Sequence, residues 1–477
     1  MISGTDILQS AYDPERFRAV GHELIDMLAD HLKSVQGREQ QAIAYLPPGE
    51  QATFWHDDLI NGAGSPTHFF QEILSRSVQV QHPRYMGHQV CPPAPLAALS
   101  SLVDGLLNNG MAVYEMGMSA TAIEQQVLAV VSGRMGFGPN AGGVLTSGGT
   151  LANLTALLAA RAVKSKRAIW TEGGHETRLA LLVSEEAHYC VDRAVRIMGW
   201  GETGIIKIPV DDHYRMRHEC LPEYLAQAKE EGLEVIAVVG SACSTSTGSF
   251  DDLNALADFC EAEGLWLHVD GAHGAALSLS PQYKAVVDGL ERADSVAMDF
   301  HKMLLTPVLA TALIFKNGPD SYRTFSQRAQ YLWSGQTEQE WYNLAKRTFE
   351  CTKLMMGMKV HALLRTYGFE LWEAYLGKVM QNGALFADLV RAHPDFELAV
   401  EPACNIVCFR YVKPGADLNE LNARIRQSLL EDGRFYIVQT QLKTGLFLRV
   451  TLTNPHTSGE DIEALLTLIA SKAPELG

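Results

Sequence analysis

The chain has 477 residues, 47% of them hydrophobic and 20% charged, which is the make-up of a globular protein with a large core and excludes a disordered chain. Its 39 basic and 55 acidic residues leave a net charge of −16, and no lysine- or arginine-rich run offsets it, which argues against nucleic-acid partners. Eight cysteines are scattered singly; the nearest two, Cys404 and Cys408, lack the companions of a zinc site, so no metal and a reduced, cytoplasmic setting are expected.

Met1 to Glu15 is acidic and polar where a secretory signal would be apolar, and no apolar run has the length of a membrane span. Asp13-Pro14 forms a cap and first-turn pair. Behind it Phe17, Val20, Leu24, Ile25, Leu28 and Leu32 recur at helical spacing. This predicts an amphipathic helix whose broad apolar face packs on another domain or subunit. Leu46-Pro47-Pro48-Gly49 reads as a linker.

From Val144 to Phe315 short apolar runs alternate with helical segments. The runs are Gly143–Thr146, Leu179–Val183, Ile205–Ile208, Val235–Val239, Leu265–Val269, Ser295–Met298 and Thr311–Phe315. Such alternation predicts an α/β fold with a mostly parallel sheet covered on both faces. Ligands of such sheets bind at the carboxyl ends of strands. Beyond Phe315 a polar stretch from Pro319 to Glu340 leads into helices as far as about His393. Short strands follow near Asn405–Arg410 and Phe447–Thr451, as in a smaller α+β domain.

Several residues at these strand ends carry chemistry. Thr146-Ser147-Gly148-Gly149-Thr150 ends a strand and opens a helix. Its glycines let the backbone approach an anion, or simply satisfy a tight turn. His188 either caps the next helix or stacks on a flat cofactor. In the loop Ser241–Gly248 a hydroxyl, Thr245 above all, is placed to reach a cofactor oxygen or an imine. Asp270 ends an apolar strand, where a carboxylate needs a cationic partner. Ala272 can set a methyl against a ring face. His301-Lys302 ends the next strand in the chain. Lysine after a strand is ordinarily a solvated charge. Here an anion-binding turn, a histidine, an aspartate and a lysine follow in one order, which matches what pyridoxal 5'-phosphate (PLP) requires: a Schiff-base lysine and a carboxylate for the pyridinium nitrogen.

With His82-Pro83-Arg84-Tyr85, Tyr114-Glu115, His268-Val269-Asp270-Gly271-Ala272 and Asn454-Pro455 added, the chain resembles the group II PLP-dependent amino-acid decarboxylases. The resemblance implies PLP-dependent transferase fold type I, the aspartate-aminotransferase type, working as a homodimer with the active site at the subunit interface. It implies residues 1–80 as a helical dimerisation segment, 81–345 as the PLP-binding domain and 346–477 as a small α+β domain. By the same resemblance Lys302 carries the cofactor, Asp270 meets the ring nitrogen and His188 stacks on the ring. Gly149, Thr150 and His301 contribute to phosphate binding beside Gly148, which also meets the cofactor, Arg449 binds the substrate α-carboxylate, and Tyr331 returns a proton to the α-carbon.

Cys243-Ser244 and His273 depart from the family's common forms, and His88 stands where glutamate decarboxylases carry glutamine. His82, Arg84, Tyr85 and His88 either line a polar side-chain pocket or shape a turn. The expected reaction is decarboxylation of an acidic or otherwise polar L-amino acid to its amine and CO2. Oxidative conversion to an aldehyde on the same fold and decarboxylation of an aromatic amino acid are the alternatives. A PLP-binding protein without catalysis and a plain nucleotide-binding protein fit the motifs less well.

Overall fold

The computed structural model describes residues 4–62, 64–175, 177–325 and 340–476. Each of the seven apolar runs forms a strand: β1 (Gly142–Thr146), β2 (Leu179–Ser184), β3 (Ile205–Ile208), β4 (Glu234–Ser241), β5 (Trp266–Asp270), β6 (Ser295–Asp299) and β7 (Thr311–Phe315). They make one sheet in the order β1-β7-β6-β5-β4-β2-β3. Strands β2 to β6 run parallel, while β7 is antiparallel to both β6 and β1. Apart from the edge strand β3, the strands are buried almost end to end because helices cover both faces, and continuous apolar runs are what that geometry demands.

A second, four-stranded antiparallel sheet has the order β10-β11-β9-β8, with β8 (Phe396–Leu398), β9 (Ile406–Tyr411), β10 (Val438–Leu442) and β11 (Gly445–Thr451). Two helices, Gly357–Tyr367 and Glu370–Ala392, bridge the two sheets. Val360, Leu363, Trp372 and Val379 pack into the core of the first, whereas Phe386 and Val390 pack into that of the second.

The N-terminal helix spans Pro14–Gln36, with the Asp13 side chain accepting from the Glu15 N–H at its start. Within this single chain Phe17, Ile25 and Leu28 remain exposed. The stretch at Leu46–Gly49 is not a linker: a helix starts at Pro48 and runs to Asn61, with Pro47 as its cap. Proline at the first helical turn costs nothing, since its missing N–H would have no intrahelical partner. Among the described residues no helix is long and apolar enough to cross a membrane.

Candidate active site

The carboxyl ends of β1, β2, β4, β5 and β6 converge on one pocket with ≈ 310 Å³ of space free of protein atoms, its solvent-open mouth included. Gly149 and Thr150 enter it from the turn after β1, His188 and Cys190 from the segment after β2, and Cys243 and Thr245 from the loop after β4. Asp270, Ala272 and His273 follow β5, Lys302 follows β6, and Gln89 and Asn153 complete the wall.

The turn after β1 is built for a close approach. Gly148 sits at φ 103°, a conformation that favours glycine. A Cβ on Gly149 would lie 3.4 Å from both carboxylate oxygens of Asp299 and 3.5 Å from the Ala272 methyl. The helix Gly149–Lys164 starts here. Its first N–H groups have no intrahelical acceptor and suit an anion.

Lys302 Nζ lies 3.1 Å from Asp299 Oδ2. Burial, the largest influence, would lower its proton affinity, but the carboxylates of Asp299 and Asp270 outweigh it and raise the pKa. Thr311 Oγ1 donates to the other Asp299 oxygen. His301 stands behind this pair and is not among the described lining residues: its Nδ1 is 3.1 Å from the Ala310 carbonyl and its Nε2 is 3.6 Å from Asp299 Oδ2.

Asp270 receives one N–H on each oxygen, from Asn153 Nδ2 at 2.9 Å and from the Ala272 backbone at 3.2 Å. His188 does both things its position allowed. Its Nδ1 accepts the Cys190 N–H at 3.3 Å, capping the helix Tyr189–Ile197, and the ring lines the pocket. Burial holds its pKa below the usual imidazole value, and an accepting Nδ1 puts the ring proton on Nε2.

Arg449, Tyr85 and His88 are not part of this lining, whereas Cys243 and His273 are. Both of those residues feel the charges of Lys302 and Arg449. Arg449 is buried, with Nη2 3.3 Å from Thr451 Oγ1 and Nε without a partner. Tyr85 stacks on Tyr436 at 5.4 Å between ring centroids, and His88 lies 5.9 Å from the same ring. Tyr331 lies outside the described residues.

Sequence reasoning gave no work to Asp299, Cys190, Gln89 or Asn153, and it quoted His268 only as part of a motif. The available signal was polarity out of place. Asn153 is a buried amide on a helix whose neighbours Ala152, Ala156 and Leu157 are core. Asp299 ends an apolar strand just as Asp270 does.

The donor set fits PLP. A half-buried lysine, a carboxylate, a glycine-lined helix start and a neutral imidazole edge share one pocket. A further buried atom on its rim, His273 Nδ1, lacks a partner. Residues 72–412 match the pyridoxal-dependent decarboxylase conserved domain. The chain is 26% identical over 476 residues to an aromatic-L-amino-acid decarboxylase of Bacillus atrophaeus, covering 97% of this chain and 96% of that one. It is 29% identical over 453 residues to an aspartate 1-decarboxylase of Aliivibrio fischeri, covering 84% and 81%. The solved glutamate decarboxylase domain of the diaminobutyrate-pyruvate transaminase and L-2,4-diaminobutyrate decarboxylase of Vibrio parahaemolyticus superposes with a TM-score of 0.86 at 27% identity, over 97% and 96% of the two chains. With the match extending over most of its length, this chain belongs to the pyridoxal-dependent decarboxylase family and is a group II PLP-dependent amino-acid decarboxylase.

Proposed function

We propose that the enzyme decarboxylates an acidic L-amino acid, with Arg449 holding the α-carboxylate. The observation that carries this reading is the positive field at the Arg449 end of the site. After burial, the causes that lower the His88 pKa are the guanidinium groups of Arg449 and Arg426. Two guanidiniums beside a neutral imidazole favour a substrate with two carboxylates. The relative of Aliivibrio fischeri is an aspartate decarboxylase, which is consistent with that preference.

In this reading Lys302 binds the cofactor covalently, Asp270 meets its ring nitrogen, and His188 and Ala272 take its two faces. Gly148, Gly149, Thr150 and His301 hold the phosphate, with Thr245 reaching the ring oxygen. The chemistry that bound PLP supplies is that of an electron sink for the charge left on the α-carbon as CO2 departs. Arg449 orients the α-carboxylate, and Tyr85 and His88 border the substrate side chain. Tyr331 returns a proton to the α-carbon, and Lys302 Nζ exchanges its proton with the departing amine. Asp299 keeps Lys302 charged until then. The exposed Phe17, Ile25 and Leu28 supply an apolar face for a second copy of the chain, in keeping with a cytoplasmic homodimer in which residues 1–80 form the dimerisation segment, 81–345 the PLP-binding domain and 346–477 the small domain.

The test is a panel of L-amino acids on the PLP-loaded protein, with amine, CO2, ammonia and peroxide quantified. Equal amine and CO2 from aspartate or glutamate, and none from aromatic or basic substrates, supports the reading. Preference for tyrosine, tryptophan or 2,4-diaminobutyrate overturns the substrate assignment, and aldehyde with peroxide overturns the role given to Tyr331.

A further inference from the structure

Four buried hydrogen bonds run in series from inside the first sheet to Asp270. Trp266 Nε1–H donates to Ser295 Oγ at 2.9 Å, and Ser295 Oγ is 2.9 Å from His268 Nδ1. His268 Nε2 is 2.7 Å from Asn153 Oδ1, and Asn153 Nδ2 donates to Asp270 Oδ2 at 2.9 Å. Trp266, Ser295, His268 and Asn153 are each no more than 1% exposed, so no water competes for these groups.

The direction of every link is forced by its two ends. Indole nitrogen can only donate, and an ionised carboxylate can only accept. Asn153 therefore turns its amide nitrogen to Asp270, and that nitrogen also lies 3.1 Å from Cys190 Sγ. Its carbonyl is left facing His268, which must donate from Nε2. Burial, above all, holds His268 down to about 4, so the ring is neutral and has one proton to place. With that proton on Nε2, Nδ1 is bare and takes the Ser295 hydroxyl proton. The Ser295 carbonyl, 3.2 Å from the same nitrogen, can only accept and cannot replace the hydroxyl. The other tautomer would set a lone pair against the Asn153 carbonyl and drive the amide to flip, bringing an oxygen against Asp270.

We propose that His268 and Asn153 are positioning residues of the decarboxylation: the relay from Trp266 fixes the tautomer of His268, hence the amide of Asn153, hence the orientation of Asp270. With each oxygen fixed by an N–H donor, the remaining lone pairs of Asp270 keep one orientation in the pocket, where they would meet the ring nitrogen of PLP. The inference rests on the assignment of Asp270 to that nitrogen.

The experiment loads the holoenzyme with PLP carrying 15N in the ring and reads the 15N chemical shift, the PLP dissociation constant, and kcat and KM separately. Asp270→Asn tests the assignment itself, by moving the resonance toward the unprotonated value. His268→Phe is expected to move the resonance the same way, weaken PLP on the order of tenfold and lower kcat with little change in KM. His268→Gln, whose amide can still donate to Asn153, restores most of both. Ser295→Ala keeps the packing, so it decides the matter if His268→Phe does not fold: it is expected to move the resonance in the same direction by less. A wild-type resonance and wild-type PLP affinity in both His268→Phe and Ser295→Ala, with Asp270→Asn altered, overturns the relay. An unaltered resonance in Asp270→Asn overturns the Asp270 assignment instead, and the relay with it.

Discussion

Lys302 and Asp299 lie one helical turn apart, and their charged groups meet at 3.1 Å inside the pocket. Asp299 offsets the burial that would otherwise strip the lysine of its proton. An ammonium cannot attack a carbonyl, so the cofactor-free chain holds its lysine in the unreactive form.

Asp299→Asn removes the nearest countercharge and should lower the Lys302 pKa. Covalent capture of PLP by the cofactor-free protein at pH 7.5 should then be several-fold faster, followed by absorbance in stopped flow. Slower capture would mean that Asp299 serves the lysine in another way. Lys302→Ala should abolish steady turnover and leave no cofactor attached after borohydride reduction; full activity would refute the assignment of that lysine.

Beneath the turn that follows β1, Lys353 Nζ and Glu124 Oε1 pair at 2.6 Å with side chains 1% and 0% exposed. The same carboxylate oxygen accepts the Leu145 N–H at 3.0 Å, and Lys353 donates to the Leu145 carbonyl at 2.7 Å. Lys353→Met leaves a buried, uncompensated carboxylate and should cost about 3–5 kcal/mol. The double variant Glu124→Gln/Lys353→Met should lose less than Lys353→Met alone in urea unfolding, because no charge is then stranded.

Asp461 ties the N-terminal part of the chain to the last helix, Gly459–Leu476. Its carboxylate accepts from Arg38 at 2.6 and 2.9 Å and from Arg84 at 3.0 Å. Burial alone would raise its pKa, but the hydrogen bonds from Arg38, Ser458 and Arg84 outweigh it and hold the carboxyl far below the usual range. With the folded pKa depressed, this contribution is complete above the unfolded value of about 3.9 and is lost as pH falls below it. Asp461→Asn should cost about 1.5–3 kcal/mol at pH 7, and the loss should shrink in acid when the two proteins are compared by thermal melting.

Three buried histidines act in a higher window. Burial, the leading cause in each, brings His82 and His268 to about 4 and His273 to about 3. The unfolded chain takes up protons near pH 6.5 that the folded chain refuses, so stability should fall as pH drops from about 6.5 toward 4. His82→Gln should flatten part of that slope, measured as the urea midpoint at intervals between pH 7.5 and 4.5; an unchanged slope would show that His82 does not contribute.

Much of the fold was legible because the signal was local. Each apolar run became a strand, since a strand buried on both faces must be apolar throughout. The C-terminal sheet was half legible. Strands β9 and β11 carry apolar runs, but β10 is polar at Gln439, Thr440 and Gln441 and β8 has only three residues. The helix at Pro48 was hidden by the proline that starts it. In the site, Asp270 and Lys302 stood out as charges ending apolar strands. Asp299 shares that mark, but its pairing with Lys302 is a matter of side-chain direction.

The sequence by itself determined the seven strands of the first sheet and that His188, Asp270, Lys302 and the Gly148-Gly149 turn stand at strand ends on one side of it. Alternation of apolar runs with helices dictates a doubly covered sheet, and strand ends in such a sheet share an edge. Only the tertiary structure decided which polar group faces which. The partners of Asn153 are 117 residues away at Asp270 and 115 residues away at His268, and hydrogen bonds at that separation leave no periodicity to read. Burial decided the rest, because the proton affinities of Lys302, His268 and Asp461 are set by packing and by neighbouring charge that the order of residues along the chain does not contain.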